Sequence, residues 1–273
     1  MSRFQTAARS LRDNGFAMLD PLPPQIVTQV RRRINEWIAR GMTDPSRDDL
    51  GITALLDDYA RTSYGDDDVR GCTDVHECFR SIEDAVVSLV GLGTEFRYSP
   101  RETQIALRFP GSRGWAHLDG VVPSLPNTWT IPSAVAVVYL SDVGPDDAPF
   151  TVWPGAFTQV QELARRCLAG LPQDRGWQEL VGLLRRQLLV EGAEPVTGPA
   201  GTVFLAHPAL PHCNGRADSA DIRYALIRRY YPSSSFEGDA LLPWTWTDAM
   251  HLLAAGPGEL APMARPSAAV TVA

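Results

Sequence analysis

The chain has 273 residues, of which 44% are hydrophobic and 21% charged, with a formal net charge of −7. That composition describes a globular protein with enough apolar material for a real core, and the acidic balance argues against a partner gripped by its phosphate backbone, so no nucleic acid is expected. No apolar run approaches the ~18 residues of a membrane span, and MSRFQTAARSLRDNG lacks the apolar stretch of a leader, so no membrane partner is expected either.

In chain order, residues 4–13 and 24–40 read as helices. The second, PPQIVTQVRRRINEWIARG, opens on prolines, repeats Ile26, Val27, Val30, Ile34 and Ile38 at helical spacing, and closes on Gly41. Between the two, GFAMLDPL reads as a short strand. Residues 42–75 are rich in Asp, Gly and Ser without a clear period and read as a long loop with a small central helix. A helix over 76–92 follows.

After residue 95 the period changes. TQIALRF and SAVAVVYL alternate, PFTVW and GTVFLAH are short β-rich runs, and IRYALIRRYY is a longer one, all separated by Gly and Pro. Short strands in series imply a sandwich or barrel. The interval 156–191 interrupts them with two helical stretches, read as packing helices. The end of the chain from 254 is low in complexity and reads as a mobile tail.

Four cysteines, Cys72, Cys78, Cys167 and Cys213, are scattered, and Cys72 and Cys78 flank His76. That trio fits no usual zinc spacing. Scattered thiols without a leader suggest a reducing, cytoplasmic setting.

The chemistry concentrates in GWAHLDGVVP. If this segment is extended, His117 and Asp119 leave the same face and converge on one point. A bare HxD also arises as a surface histidine beside a turn aspartate, so a third ligand matters. It is offered by GTVFLAHPALPHCNGR, where a strand runs into a turn bearing His207 and His212. Two histidines and one carboxylate on one face of an iron leave cis positions open, which suits Fe(II), a chelating 2-oxo acid and O2. Arg223 then opens an apolar strand. A buried guanidinium needs an anion, and its fork matches the distal carboxylate of 2-oxoglutarate.

These segments, in this order, resemble the phytanoyl-CoA dioxygenase-like family of Fe(II)/2-oxoglutarate oxygenases. LRDNGFAMLDPLPPQIVTQVRRRI is similar to the family's opening helix, strand and second helix. TQIALRFPGSRGWAHLDG resembles its strand, PGS turn and metal HxD. DDAPFTVWPGAF resembles a segment that ends in PGSH in relatives, and GPAGTVFLAHPALPHCNGRADSADIRYALIRRYYP resembles the strand with the distal histidine followed by the cosubstrate arginine. Together they span most of residues 4–232.

The resemblance implies a mainly β fold with flanking helices, a double-stranded β-helix (jelly-roll, cupin-like) core. One domain is expected over 1–273: a helical layer at 1–93, a core at about 94–232 with the insert 156–191, and a tail at 233–273. It implies His117, Asp119 and His212 as metal and catalytic ligands, Arg223 as cosubstrate clamp, and Gln104 and Asn214 as further 2-oxoglutarate contacts. The step from 212 to 223 selects His212 over His207, which is left as a structural histidine. Where relatives carry Ser-His after PG, this chain has Ala156-Phe157.

Around the pocket, Arg108, Asn127, Trp129, Trp153 and Arg229 are the candidates for substrate contact. Strand alternation puts Arg229 on the face of Arg223. Its plainer reading is an arginine paired with an acid at the barrel mouth, and core packing is the plainer reading of each tryptophan. WTWTDAM, at 244–250, is read as a lid or a cap. The activity implied is oxidation, hydroxylation above all, of an unactivated C–H in a small, specialised-metabolite-like molecule, with release of succinate and CO2. Two alternatives stand: a cupin-type metal enzyme that does not use 2-oxoglutarate, and a non-catalytic small-molecule-binding relative. Monomer and homodimer are both compatible with the sequence.

Overall fold

Two antiparallel sheets pack their inner faces against each other, and two central strands of the larger one, Ala134–Tyr139 and Val203–Ala206, are buried on both faces. The computed structural model describes residues 3–43, 73–90, 96–97, 103–121, 129–187, 192–237 and 240–256. The elements are α1 (Arg3–Asn14), β1 (Phe16–Met18), α2 (Pro24–Thr43), α3 (Thr73–Val90), β2 (Phe96–Arg97), β3 (Thr103–Arg108), β4 (Ala134–Tyr139), β5 (Phe150–Val152), α4 (Pro154–Leu168), α5 (Gln173–Gln187), β6 (Glu194–Val196), β7 (Val203–Ala206), β8 (His212–Asn214), β9 (Arg223–Pro232), β10 (Phe236–Glu237), β11 (Ala240–Leu241) and α6 (Trp246–Ala254).

The larger sheet runs β1-β7-β4-β9-β2, with β3 also paired to β9, and the smaller runs β6-β5-β8. The register fixes which side chains look inward. Arg223, Ala225 and Ile227 of β9 stand opposite Arg108, Ala106 and Gln104 of β3. Ala225, Ile227 and Arg229 stand opposite Tyr139, Val137 and Val135 of β4. Directly opposed residues share a face, so these line the interior between the sheets. The intervening residues face the helical layer. The Tyr224 hydroxyl donates to Asn35 of α2 at 3.0 Å, and the Arg228 guanidinium lies 4.0 Å over the Phe79 ring of α3.

The helices form where the periodicity placed them. α2 starts at Pro24, whose missing N–H costs nothing in a first turn, and buries Val27, Val30 and Ile34. The insert is two helices, α4 and α5, as read from the sequence. The loop expected at 42–75 lies mostly outside the described residues, as does the chain from 257.

Two expectations change. His212 does not sit in a turn but opens β8, because its N–H and C=O both bond to His117. Part of the segment assigned to the tail is ordered structure: a 3-10 turn at 233–235, the β10–β11 hairpin, and α6 packed on α4. A capping box explains where α6 begins. The Thr245 hydroxyl accepts from the N–H of Asp248, and the Asp248 carboxylate accepts from the N–H of Thr245, worth about 1 kcal/mol.

Candidate metal centre

His117, Asp119 and His212 each offer one donor atom, and these atoms all lie within 4.8 Å of one another. Nε2 of His212 is 3.6 Å from Oδ2 of Asp119, and Nε2 of His117 is 3.9 Å from Oδ1. Both imidazoles are oriented by backbone. Nδ1 of His117 donates to the Trp115 carbonyl at 3.0 Å, and Nδ1 of His212 donates to the Leu210 carbonyl at 3.0 Å. A carbonyl can only accept, so each ring carries its proton on Nδ1 and turns the Nε2 lone pair toward the other donors.

The local backbone explains this convergence. His117 pairs with His212 while the N–H of Gly114 bonds to the carbonyl of Asn214. Three steps on one strand therefore match two on the other, a β-bulge of the kind that re-aims side chains beside sites. Gly114 is required there, because a Cβ would sit 2.7 Å from the Asn214 oxygen. Gly120 then turns the chain directly after Asp119. Its φ is +73°, and a Cβ would lie 2.3 Å from the Thr130 carbonyl oxygen.

The electrostatics suit a cation. Burial would raise the Asp119 carboxyl, but Arg229, His212 and His117 outweigh it and hold the group well below the usual carboxylate range. Oδ1 accepts from Nη2 of Arg229 at 2.7 Å, whereas Oδ2 is buried with no hydrogen-bond partner among the described residues. Burial, with His117 adding to it, lowers His212 to about 4, against the pull of Asp119. That imidazole is neutral at pH 7. One orphaned carboxylate oxygen and two imidazole nitrogens form a donor set that fits a divalent transition metal.

A second orphan lies deeper. Arg223 is 2% exposed. Its Nη2 donates to Oδ1 of Asn214 at 2.9 Å, while Nε and Nη1 are buried without a hydrogen-bond partner among the described residues. Burial lowers its pKa, partly offset by the neighbouring Tyr139. The Tyr139 hydroxyl itself donates to the Val196 carbonyl at 2.7 Å and accepts from the N–H of Phe150 at 2.9 Å. Phe150 in turn stacks on the His212 ring at 4.6 Å. Asn214 and His212 are two positions apart on β8, hence on one face and about 7 Å apart. The guanidinium and the metal donors therefore lie along the same face of β8.

The other sequence candidates fall in different places. Gln104 and Arg108 are buried on the inner face of β3. Arg229 meets Asp119. Trp129 is 1% exposed and packs edge-on against Trp177 of α5 and Trp246 of α6. Trp153 is buried with Ala116, Ala156 and Cys213, on the side of β8 opposite His212. Asn127 lies outside the described residues. In the Cys72, His76 and Cys78 trio, Cys72 lies outside them too, and Cys78 is buried in the core.

His207 belongs to another structure. Its Nδ1 accepts from the N–H of Ala209 at 3.1 Å, so Nε2 carries the proton and donates to the Ala255 carbonyl at 3.0 Å. It ties α6 to the core. Sequence reasoning missed Tyr139, whose signal was its place two steps beyond Val137 in an alternating strand. It also missed the Trp115 and Leu210 carbonyls, which leave no signal beyond standing two residues before each histidine.

This architecture recurs in solved structures. EvdMO1 superposes with a TM-score of 0.57 at 17% identity, covering 84% of this chain and 50% of that one. SnoK, a non-haem α-ketoglutarate-dependent carbocyclase from nogalamycin biosynthesis, gives 0.53 at 16% identity over 97% and 94%. HygX from Streptomyces hygroscopicus, with nickel and 2-oxoglutarate bound, gives 0.51 at 18% identity over 88% and 89%. The chain shares its fold with these solved proteins. The chain spans half the length of EvdMO1. No family profile matches the sequence, and no curated protein matches it. Among the described residues, no helix is long and apolar enough to cross a membrane.

Proposed function

We propose that the protein is an Fe(II)- and 2-oxoglutarate-dependent oxygenase acting on a small molecule. The observation that carries this reading is a pair of orphans on one inner face, each without a hydrogen-bond partner among the described residues: Oδ2 of Asp119, 3.6 Å from Nε2 of His212 within the three-donor cluster, and Nε and Nη1 of Arg223 beside Asn214. His117, Asp119 and His212 would hold the metal on one face. Arg223 and Asn214 would take the distal carboxylate of 2-oxoglutarate, giving the buried guanidinium an anion where Asn214 and Tyr139 compensate it only in part. When bound, iron supplies the oxidative decarboxylation that yields succinate and CO2 and oxidises a substrate C–H. The chain supplies orientation, two proton-fixed imidazoles and exclusion of water.

Hydroxylation is the proposed outcome, and a specialised metabolite the proposed substrate class. SnoK comes from nogalamycin biosynthesis, and HygX has been solved with hygromycin B bound. A cupin-type enzyme without cosubstrate would have no use for the buried Arg223. Fe(II) and 2-oxoglutarate added together without oxygen should give a visible metal-to-ligand charge-transfer band, and aerobic screening against a metabolite library should release succinate. Absence of the band, or zinc held by cysteines, overturns the reading.

A further inference from the structure

The Arg229–Asp119 contact engages only one of the two carboxylate oxygens. Arg229 lies on the inner face of β9, opposite Val135 of β4, with its side chain 13% exposed. It spends a charge-assisted hydrogen bond of 2.7 Å on Oδ1 of Asp119. Such bonds are among the stronger ones a carboxylate accepts. Oδ2, 3.6 Å from Nε2 of His212, has no hydrogen-bond partner among the described residues. The backbone after Asp119 has little freedom, because Gly120 is wedged against Thr130. The hydrogen bond from Arg229 opposes rotation of the carboxylate about its own axis.

We propose that Arg229 is a positioning residue that restricts Asp119 to ligation through Oδ2 alone. The inference rests on the metal reading above and deepens it. An octahedral ion held by two imidazoles and one carboxylate oxygen keeps three open positions. A chelating 2-oxo acid uses two of them, and the third is left for O2. A carboxylate that swung to bind through both oxygens would fill the last position. The guanidinium on Oδ1 keeps that position open, so Arg229 determines whether cosubstrate and O2 can be held together. Its role differs from that of Arg223, which addresses the far end of the cosubstrate.

The experiment uses the full chain, with aspartate carboxyls labelled with 13C, and Ni(II) as the probe metal. Infrared difference spectra of metal-loaded against metal-free protein report the separation of the carboxylate stretches. That separation is wide for a single-oxygen ligand and narrow for a two-oxygen one. The wild type should show the wide separation, Arg229→Met the narrow one, and Arg229→Lys the wide one again. With Fe(II) and 2-oxoglutarate bound, nitric oxide, read by electron paramagnetic resonance, reports the third position. Arg229→Met should bind it about 10- to 100-fold more weakly than wild type, in the range usual for residues that orient metal ligands. A narrow separation in the wild type overturns the proposal without any variant. Wild-type band separation and nitric oxide binding in Arg229→Met overturn it while leaving the metal reading intact. A wild type that takes up neither Ni(II) nor Fe(II) overturns both.

Discussion

Replacing His207 with alanine tests whether the second histidine of the AHPALPH segment is a structural device. The substitution orphans the N–H of Ala209, which loses its acceptor, while the Ala255 carbonyl keeps a second donor in Gln161 at 3.0 Å. One buried N–H left unpaired costs about 1–3 kcal/mol. The lost bond to Ala255 and the space left beside the Phe157 ring, 5.1 Å away, bring the expected destabilisation to about 2–4 kcal/mol at pH 7. The cost should depend on pH. Burial lowers the His207 pKa from 6.5 to about 4, against the hydrogen bond to Ala255. The unfolded chain protonates this imidazole below pH ~6.5 and the folded chain only below ~4, so the wild type loses stability as pH falls through that window. Between pH 7 and 5 the loss is about 2 kcal/mol. His207→Ala has no such group, so the stability gap between the proteins should shrink by about that amount. Urea unfolding of metal-free wild type and variant at the two pH values, followed by tryptophan fluorescence, reads it directly; His212 titrates in both proteins and cancels. A gap that stays constant with pH would refute the buried, neutral assignment of His207.

Other outcomes follow from the same contacts. His212→Ala should abolish Fe(II) binding and iron-dependent succinate release, while His207→Ala keeps one metal per chain by anaerobic titration. Arg223→Met should weaken 2-oxoglutarate binding by about 100-fold or more, judged from the charge-transfer band, since an Arg–carboxylate pair in a dry site is worth several kcal/mol. The same variant without cosubstrate should melt no lower than wild type, because it removes a buried cation whose Nε and Nη1 have no partner. Gly120→Ala should cost at least about 2 kcal/mol in thermal unfolding, from its positive φ and the clash with Thr130, and should weaken metal binding by displacing Asp119.

What the sequence made legible was whatever obeys a period or a fixed covalent spacing. The β9 faces were readable because residues two apart on a strand share a face along IRYALIRRYY. That pattern put Arg223 and Arg229 on one face before any coordinates. The HxD pair was readable because two residues is one strand period. The identity of Arg229's partner was not, since Asp119 lies 110 positions away and reaches it only when the two sheets face each other. The burial of Trp129 was hidden for a similar reason. Its position after the HxD suggested a pocket wall, but Trp177 and Trp246 come from two helices whose docking leaves no local signal. The ordered 246–254 helix was masked by the low-complexity residues that follow, although Thr245 and Asp248 form a capping pair visible in the sequence.

The strand β9 couples fold stability to the site more tightly than any other element. Arg223 and Arg229 are separated by three strand periods, about 20 Å of backbone, so they address opposite ends of the interior. Arg228, between them in phase with the other face, stacks on Phe79 and lies 3.9 Å from Glu83 in the helical layer. A one-residue slip of β9 would carry both interior guanidiniums under the helices and turn Arg228 toward the metal donors, because every side chain changes face. That arrangement could not satisfy the charges: Arg223 and Arg229 would both be buried under the helical layer, and Arg228 would give up Phe79 and Glu83. The register that packs this core is therefore the same register that assembles the site, and Arg228, packed from β9 onto α3, guards that register as much as the arginines that face the site.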